Sequence, residues 1–175
     1  ILSYLLLAWF LRSLVFSNVS FNACVEIANG DLNNYLLKPV GYLTNWLARD
    51  WADKIINLIL FSVELALFLW IFRLSFPLPE HFSQGLVFFL AAMMAAVLYF
   101  FFSFLVSAFA FWYPEHDGWP LRFLMLMLLE FMVGTVFPLD ILPPALLALF
   151  KWLPFFYFIF YPTQIYLGRL SGGEI

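Results

Sequence analysis

Long apolar runs separated by short polar stretches set the rhythm of this chain. A bilayer core of about 30 Å needs roughly 20 helical residues to cross it, and four stretches meet or approach that length. The first covers 1–24 and is uncharged up to Glu26 except for Arg12. The second, 55–76, holds Glu64 near its middle and Arg73 near its end. The third is the clearest, because nothing from Phe82 to Pro114 is charged, and the crossing is placed at 86–112. Its Ala91-Ala92 and Ala95-Ala96 pairs put small side chains on one helical face, where a neighbouring helix can approach closely. The fourth, 121–137, is marginal in length and contains Glu130. All four are predicted as helices, since an open strand leaves backbone groups unsatisfied in lipid and no alternating barrel pattern is visible.

Between the first two crossings lies EIANGDLNNYLLKPVGYLTNWLARDWADK, residues 26–54, too polar to sit anywhere but in water or at the membrane surface. Gly30 ends the preceding order, Asp31 is a good N-cap, and Leu32, Tyr35 and Leu36 fall at helical spacing, with Leu37 and Lys38 following. Pro39 disfavours helical geometry at Lys38 and ends this short amphipathic helix. A second amphipathic helix is predicted with Leu43, Trp46 and Leu47 on one face, while Arg49, Asp50, Asp53 and Lys54 lead into the next crossing. Trp46 and Trp51 suit the headgroup level. The loop is either a surface-lying link between crossings or a docking element for a soluble partner.

The stretch GTVFPLDILPPALLALFKWLPFFYF, from Gly134 to Phe158, is apolar but carries four prolines, an aspartate and a lysine. Pro138, Pro143, Pro144 and Pro154 forbid one continuous helix. Irregular backbone at membrane depth is tolerated where protein or a wet cavity covers it. Residues 138–156 therefore predict a re-entrant hairpin of two short helices, with Asp140 and Lys151 near water; a broken but fully spanning helix is the alternative. Lys38, Arg49, Lys54 and Arg122, joined by Arg12 if it lies near that end, outnumber Arg73, Lys151 and Arg169 on the other side, which makes the 26–54 loop cytoplasmic and the hairpin outer.

Composition agrees with this fold class, an all-α polytopic integral membrane protein. Hydrophobic residues make up 65% and charged residues 11%, where soluble domains carry about 25% charged. No basic cluster suits nucleic acid. The single cysteine, Cys24, excludes an internal disulfide and reads as a packed small residue. The chain starts without an initiator Met, a basic stretch or a cleavage site, so it reads as part of a longer protein rather than as a signal peptide followed by a domain.

Candidate chemistry is sparse. No GxxxxGK[ST] phosphate loop is present, so ATP hydrolysis is not expected here. His81 and His116 are isolated in opposite loops without zinc spacing, and no catalytic or metal residues are predicted. Glu115, His116 and Asp117 read as a solvated turn. Ser103 and Ser107 are expected to bond backbone carbonyls rather than act as nucleophiles. The triplet Asn18-Val19-Ser20 matches a glycosylation signal, but lies at the cytoplasmic end of a crossing. Glu64 and Glu130 stand apart, because an intramembrane carboxylate is costly unless paired, protonated or wet. Each is a translocation-path candidate or a bond to a neighbouring helix.

Two motifs resemble the permease subunits of ABC transporters of the type-2 exporter class, in a bacterial six-helix branch. IANGDLNNYLLKPV is similar to that family's glycine, leucine-leucine and proline signature after the second helix. VGTVFPLDILPPALLALFKWLPFFYFIFYPTQIYLG is similar to its glycine, proline-leucine, proline and leucine-proline-phenylalanine series before the last helix. The resemblance implies a partial chain lacking the first and last helices. It implies that the piece formed by Asp31, Leu32, Tyr35, Leu36, Leu37 and Lys38 is a coupling helix that docks on a separate ATP-binding subunit. It implies that Pro138, Asp140, Pro143, Pro144 and Pro154 belong to paired re-entrant helices on the outer side. Two permease chains, identical or related, would face each other in a plasma (inner) membrane above two ATPase subunits. ATP and Mg would be held by that partner, with no cofactor in this chain.

A transporter or channel working without ATP is the competing class, since broken apolar helices and buried carboxylates suit it as well. Against it, the sequence predicts no break in the first half to match the one at 138–156. A membrane enzyme lacks a catalytic pair, and a purely structural subunit stays open.

Overall fold

A computed structural model describes residues 2–74, 76, 79, 81–114 and 119–169. Among the described residues, eight helices form in chain order: α1 Leu2–Val15, α2 Val19–Ala28, α3 Leu32–Leu36, α4 Tyr42–Phe72, α5 Phe82–Ser107, α6 Trp119–Met132, α7 Pro144–Lys151 and α8 Phe160–Tyr166. A 3-10 turn at Ala108–Phe111 prolongs α5, and two more sit at Leu139–Ile141 and Pro154–Tyr157. The predicted turn at Glu115, His116 and Asp117 lies outside the described residues.

Among the described residues, two helices are long and apolar enough to cross a membrane alone, Tyr42–Phe72 and Phe82–Phe111. The bent pair Pro144–Lys151 and Pro154–Tyr166, at 85°, makes a third if taken as one span. α1 and α6, at 14 residues each, are about 21 Å long and shorter than a bilayer core. α1 joins α2 across a break at Phe16–Asn18, within the stretch 1–24 that the sequence predicts as one helix. The second amphipathic helix and the crossing predicted from residue 55 are one uninterrupted rod, α4, of 31 residues. Nothing between Tyr42 and Phe72 is Gly or Pro, so no residue stops the helix. It ends at Arg73, which takes a left-handed conformation with φ 52° and donates its backbone N–H to Leu69.

Side-chain contacts fix the directions. Lys54 meets Ala96 and Trp46 packs with Phe100, so α4 runs antiparallel to α5. Phe16 stacks on Tyr99 at 4.6 Å and the Cys24 thiol points at the Ser107 carbonyl at 3.6 Å, so the α1–α2 line runs parallel to α5. Arg12 meets Glu130 and Tyr4 meets Gly134, which sets α6 antiparallel to α1.

The main core joins Tyr4, Ala8, Leu11 and Val15 of α1 to Ala92, Ala95 and Tyr99 of α5 and to Phe156, Phe158, Ile159 and Phe160 of the proline-rich region. Small residues on one α5 face allow this approach, since Ala92, Ala95 and Ala96 are all buried. A second cluster, Val19, Ala23, Trp46 and Phe100, lies where α2, α4 and α5 converge. Trp46 is therefore only 2% exposed, because α2 and α5 cover it. The polar turn of α4 behaves in the same way. Asp50 and Lys54, which the sequence places in the polar stretch leading into the next crossing, are fully buried, since α1, α2 and α5 close over them.

Candidate functional site

A cavity of about 500 Å³ opens beside the break between α1 and α2. Arg12, Ser17 and Asn18 line it from the α1–α2 line, Asn57 and Glu64 from α4, and Arg122 and Glu130 from α6. With Tyr99 from α5, its lining comes from all four predicted crossings, and it brings the two candidate carboxylates, Glu64 and Glu130, to one place.

Glu130 is held on both oxygens. Oε1 accepts from the Arg12 guanidinium, with Nε at 3.1 Å and a closer contact from Nη2, while Oε2 accepts from Thr135 Oγ1 at 2.9 Å. An opposite charge and a hydroxyl together offset the cost of a carboxylate at this depth. Glu64 differs. It is exposed on α4, and no hydrogen bond or ion pair reaches it among the described residues.

The break is filled by α4. A helix start leaves backbone donors without intrahelical partners, and Asn18 does not cap α2 with its side chain. Instead the Asn18 backbone N–H donates to Asp53 Oδ2 at 3.3 Å, and Ser17 Oγ donates to Asp50 Oδ1. Asp50 also accepts from Lys54 Nζ at 2.7 Å, and the same ammonium donates to the Ala96 carbonyl at 2.8 Å. The rings of Trp51 and Tyr99 stand 5.7 and 5.9 Å from that nitrogen. One buried ion pair thus ties the break, α4 and α5 together.

A second polar centre lies at the α3 end of the bundle. Glu26, at the end of α2, accepts from Tyr35 Oη at 2.9 Å, Arg49 Nη1 at 3.1 Å and Tyr42 Oη at 3.5 Å. Burial, then the neighbouring Glu26 carboxylate, pushes the Tyr35 hydroxyl above its ordinary pKa, so it stays a donor. α3 is thereby fixed to both α2 and α4, although it is only five residues long. Asp31 stands at its start but does not cap it; the carboxylate accepts from Asn34 Nδ2 at 3.3 Å instead. The backbone around Asp31 is already helical in φ and ψ, which turns the side chain away from the free N–H groups. Leu37 and Lys38 project outward, Leu37 being 86% exposed, and Leu32 is half-buried. The Leu36 side chain lies outside the described residues.

The proline-rich region packs along α5 from Phe102 back to Gln84. Phe155 meets Phe102 at 5.1 Å, Phe158 meets Tyr99 at 5.7 Å and Tyr166 meets Phe88 at 4.8 Å. Gln84 closes the far end with bonds to the carbonyls of Ile165 and Tyr166 at 3.1 and 2.7 Å. Pro144 opens α7 and Pro154 opens the following 3-10 turn, positions that need no backbone donor, while Pro138 and Pro143 take extended geometry just before a turn and before α7. Asp140 is exposed, accepts from Gln164 Nε2 at 2.7 Å and lies 3.8 Å from Arg169.

With this geometry in hand, a family model described as ABC-2 family transporter protein matches residues 1–175. The chain belongs to that family. No curated protein and no solved structure matches it. As an ABC-2 protein it is a membrane component of an ABC transporter, and membership implies association with an ATP-binding subunit. The structure does contain a break in the first half, at Phe16–Asn18, so the expected lack of one does not hold, and it is family membership that assigns the chain to an ABC transporter.

Among the residues expected from sequence, Glu64 and Glu130 share a cavity, Asp31 to Lys38 form α3 and its exit, and Asp140 with the four prolines shapes the segment packed on α5. Arg12, Glu26, Asp50, Lys54 and Gln164 were not singled out. A signal existed for two pairs. Arg12 and Glu130 are opposite charges in separate apolar stretches, and Asp50 and Lys54 stand four apart with the acid first, the favourable order on a helix. Glu26 and Gln164 acquire partners only through tertiary packing, and sequence carries no trace of it.

Proposed function

We propose that this ABC-2 protein is the permease subunit of an ATP-driven exporter in a bacterial inner (plasma) membrane. Its coupling surface is α3 with Leu37 and Lys38, docked on a separate subunit that holds ATP and Mg. The observation that carries this reading is the Glu26 centre. It clamps a five-residue helix to both α2 and α4 while leaving Leu37 and Lys38 outside. A displacement of α3 by the partner therefore moves α2 and the start of α4 together, and α2 begins at the break beside the polar cavity. Two permease chains face each other, with Glu64 and Glu130 on the path between inward and outward openings. Residues 138–156 dip in from the outer face as a re-entrant hairpin and close that path. Outward direction follows the resemblance of the two sequence motifs to type-2 exporters.

Affinity purification of the full-length protein from detergent tests the docking surface. Wild type is expected to carry an ATP-binding subunit, and Leu37→Asp with Lys38→Glu to lose it while keeping its helicity and eluting as a single symmetric peak. Retention of the ATPase by the double variant would place docking elsewhere.

A further inference from the structure

The polar cavity does not end at α4. An apolar groove of about 410 Å³ runs between α1 and α4, lined by Leu2, Leu5, Leu6 and Trp9 on one side and Leu65 and Phe68 on the other. Phe61 and Glu64 border both spaces. Glu64 is thus the junction between a long apolar slot and a polar chamber. Around it the exposed face of α4 is aliphatic, with Leu60, Val63 and Leu67 each more than half exposed. A carboxylate on such a face calls for a counter-charge. The chain's own cations are placed elsewhere: Arg12 is bonded to Glu130, and Arg12 and Arg122 line only the polar chamber, beyond the junction.

We propose that the groove and Glu64 form a binding site for an amphiphile whose ammonium group is attached directly to a long alkyl chain. The order of the surfaces decides the class. A chain lying in the groove brings its first head atoms to Glu64. A phospholipid would present its phosphate there, because the phosphate separates any ammonium from the acyl chains, and two anions would meet. An alkylammonium presents the cation, which the carboxylate binds by a charge-assisted hydrogen bond. Beyond the junction the Glu130 carboxylate is already neutralised by Arg12, so Glu64 is the carboxylate that holds the cation at the mouth. The proposal rests on reading this cavity as part of the translocation path. Binding itself needs no ATPase, so its failure and a failure of docking at α3 are separate results.

Native mass spectrometry of the full-length protein in an uncharged detergent tests it, with tetradecylammonium and tetradecanol as probes of equal chain length. Wild type is expected to bind the ammonium about tenfold tighter than the alcohol, the size of a charged hydrogen bond. Glu64→Gln should erase that preference and leave alcohol binding unchanged, and Leu65→Trp, which fills the groove, should weaken both. Equal affinity of wild type for the two probes overturns the proposal without any variant. So does a preference that survives in Glu64→Gln, or phosphatidylethanolamine displacing the ammonium from wild type. A shift from dimer to monomer in Glu64→Gln would assign the carboxylate to a second copy of the chain and also overturn it.

Discussion

Lys54 and Asp50 show how one pair of side chains can hold three elements at once. The Lys54 side chain is 1% exposed and that of its partner Asp50 is 0% exposed, so neither charge is solvated and each depends on the other. Removing one member of a buried pair leaves the other uncompensated, at a cost of about 3–5 kcal/mol, while removing both is often close to neutral. Lys54→Met should therefore lower the thermal midpoint of the detergent-solubilised protein, followed by tryptophan fluorescence, far more than Asp50→Asn with Lys54→Met does. Equal losses in the single and double variants would mean that the pair is not the source of the effect. The sequence places both residues in a stretch that belongs in water or at the membrane surface. The pattern of charges is indeed that of a solvated turn, and only the packing of α2 and α5 over it reverses the sign of the expectation. Glu130 followed the opposite course, since a lone acid in an apolar stretch demands a partner, and the structure supplies Arg12.

At the scale of elements, the turn after α6 is the most constrained. Gly134 has φ +84°, and a Cβ there would lie 2.6 Å from Tyr4 Oη and 3.3 Å from Leu139 Cγ. The Tyr4 hydroxyl sits so close because it donates to the Gly134 carbonyl at 2.8 Å, which pins the start of α1 to the end of α6. Gly134→Ala should destabilise by about 1–3 kcal/mol from backbone strain alone, and by more with the steric conflict. Adding Tyr4→Phe removes the obstructing oxygen, so the double variant should unfold at a higher temperature than Gly134→Ala alone; a lower midpoint would contradict the contact. Helices were legible wherever apolar runs were long, as in α4 and α5, and so was the proline-broken character of 138–156, because proline acts locally. The break at Phe16–Asn18 was not. Ser17 and Asn18 are weak helix breakers, and the interruption persists because Asp50 and Asp53, more than thirty residues away in sequence, satisfy its backbone and hydroxyl groups. The same locality explains why the junction into α4 was misjudged, since a polar face ending at Lys54 looks like a boundary although nothing there stops a helix.

On the scale of the molecule, polar centres sit at separate levels along α5. The Glu26 clamp lies beyond the end where Cys24 meets Ser107, the buried Lys54 pair and the cavity lie near Ala96 and Tyr99, and Gln84 closes the other end. The connecting segments, α2 and the first turns of α4, contain no glycine within their helical spans, so a push on α3 has a stiff route to the broken helix. That route is the central claim, and it requires the ATP-binding subunit to sit at α3. Cys24, the single native cysteine, is buried, so an introduced thiol reports its own surroundings. Leu37→Cys and Phe82→Cys place it at two positions of similar exposure, 86% and 89%, at opposite ends of the bundle. Treatment of native membranes with a short bis-maleimide should join the ATP-binding subunit to Leu37→Cys and not to Phe82→Cys. Crosslinking at Phe82→Cys alone would put the ATPase at the other face and contradict the account.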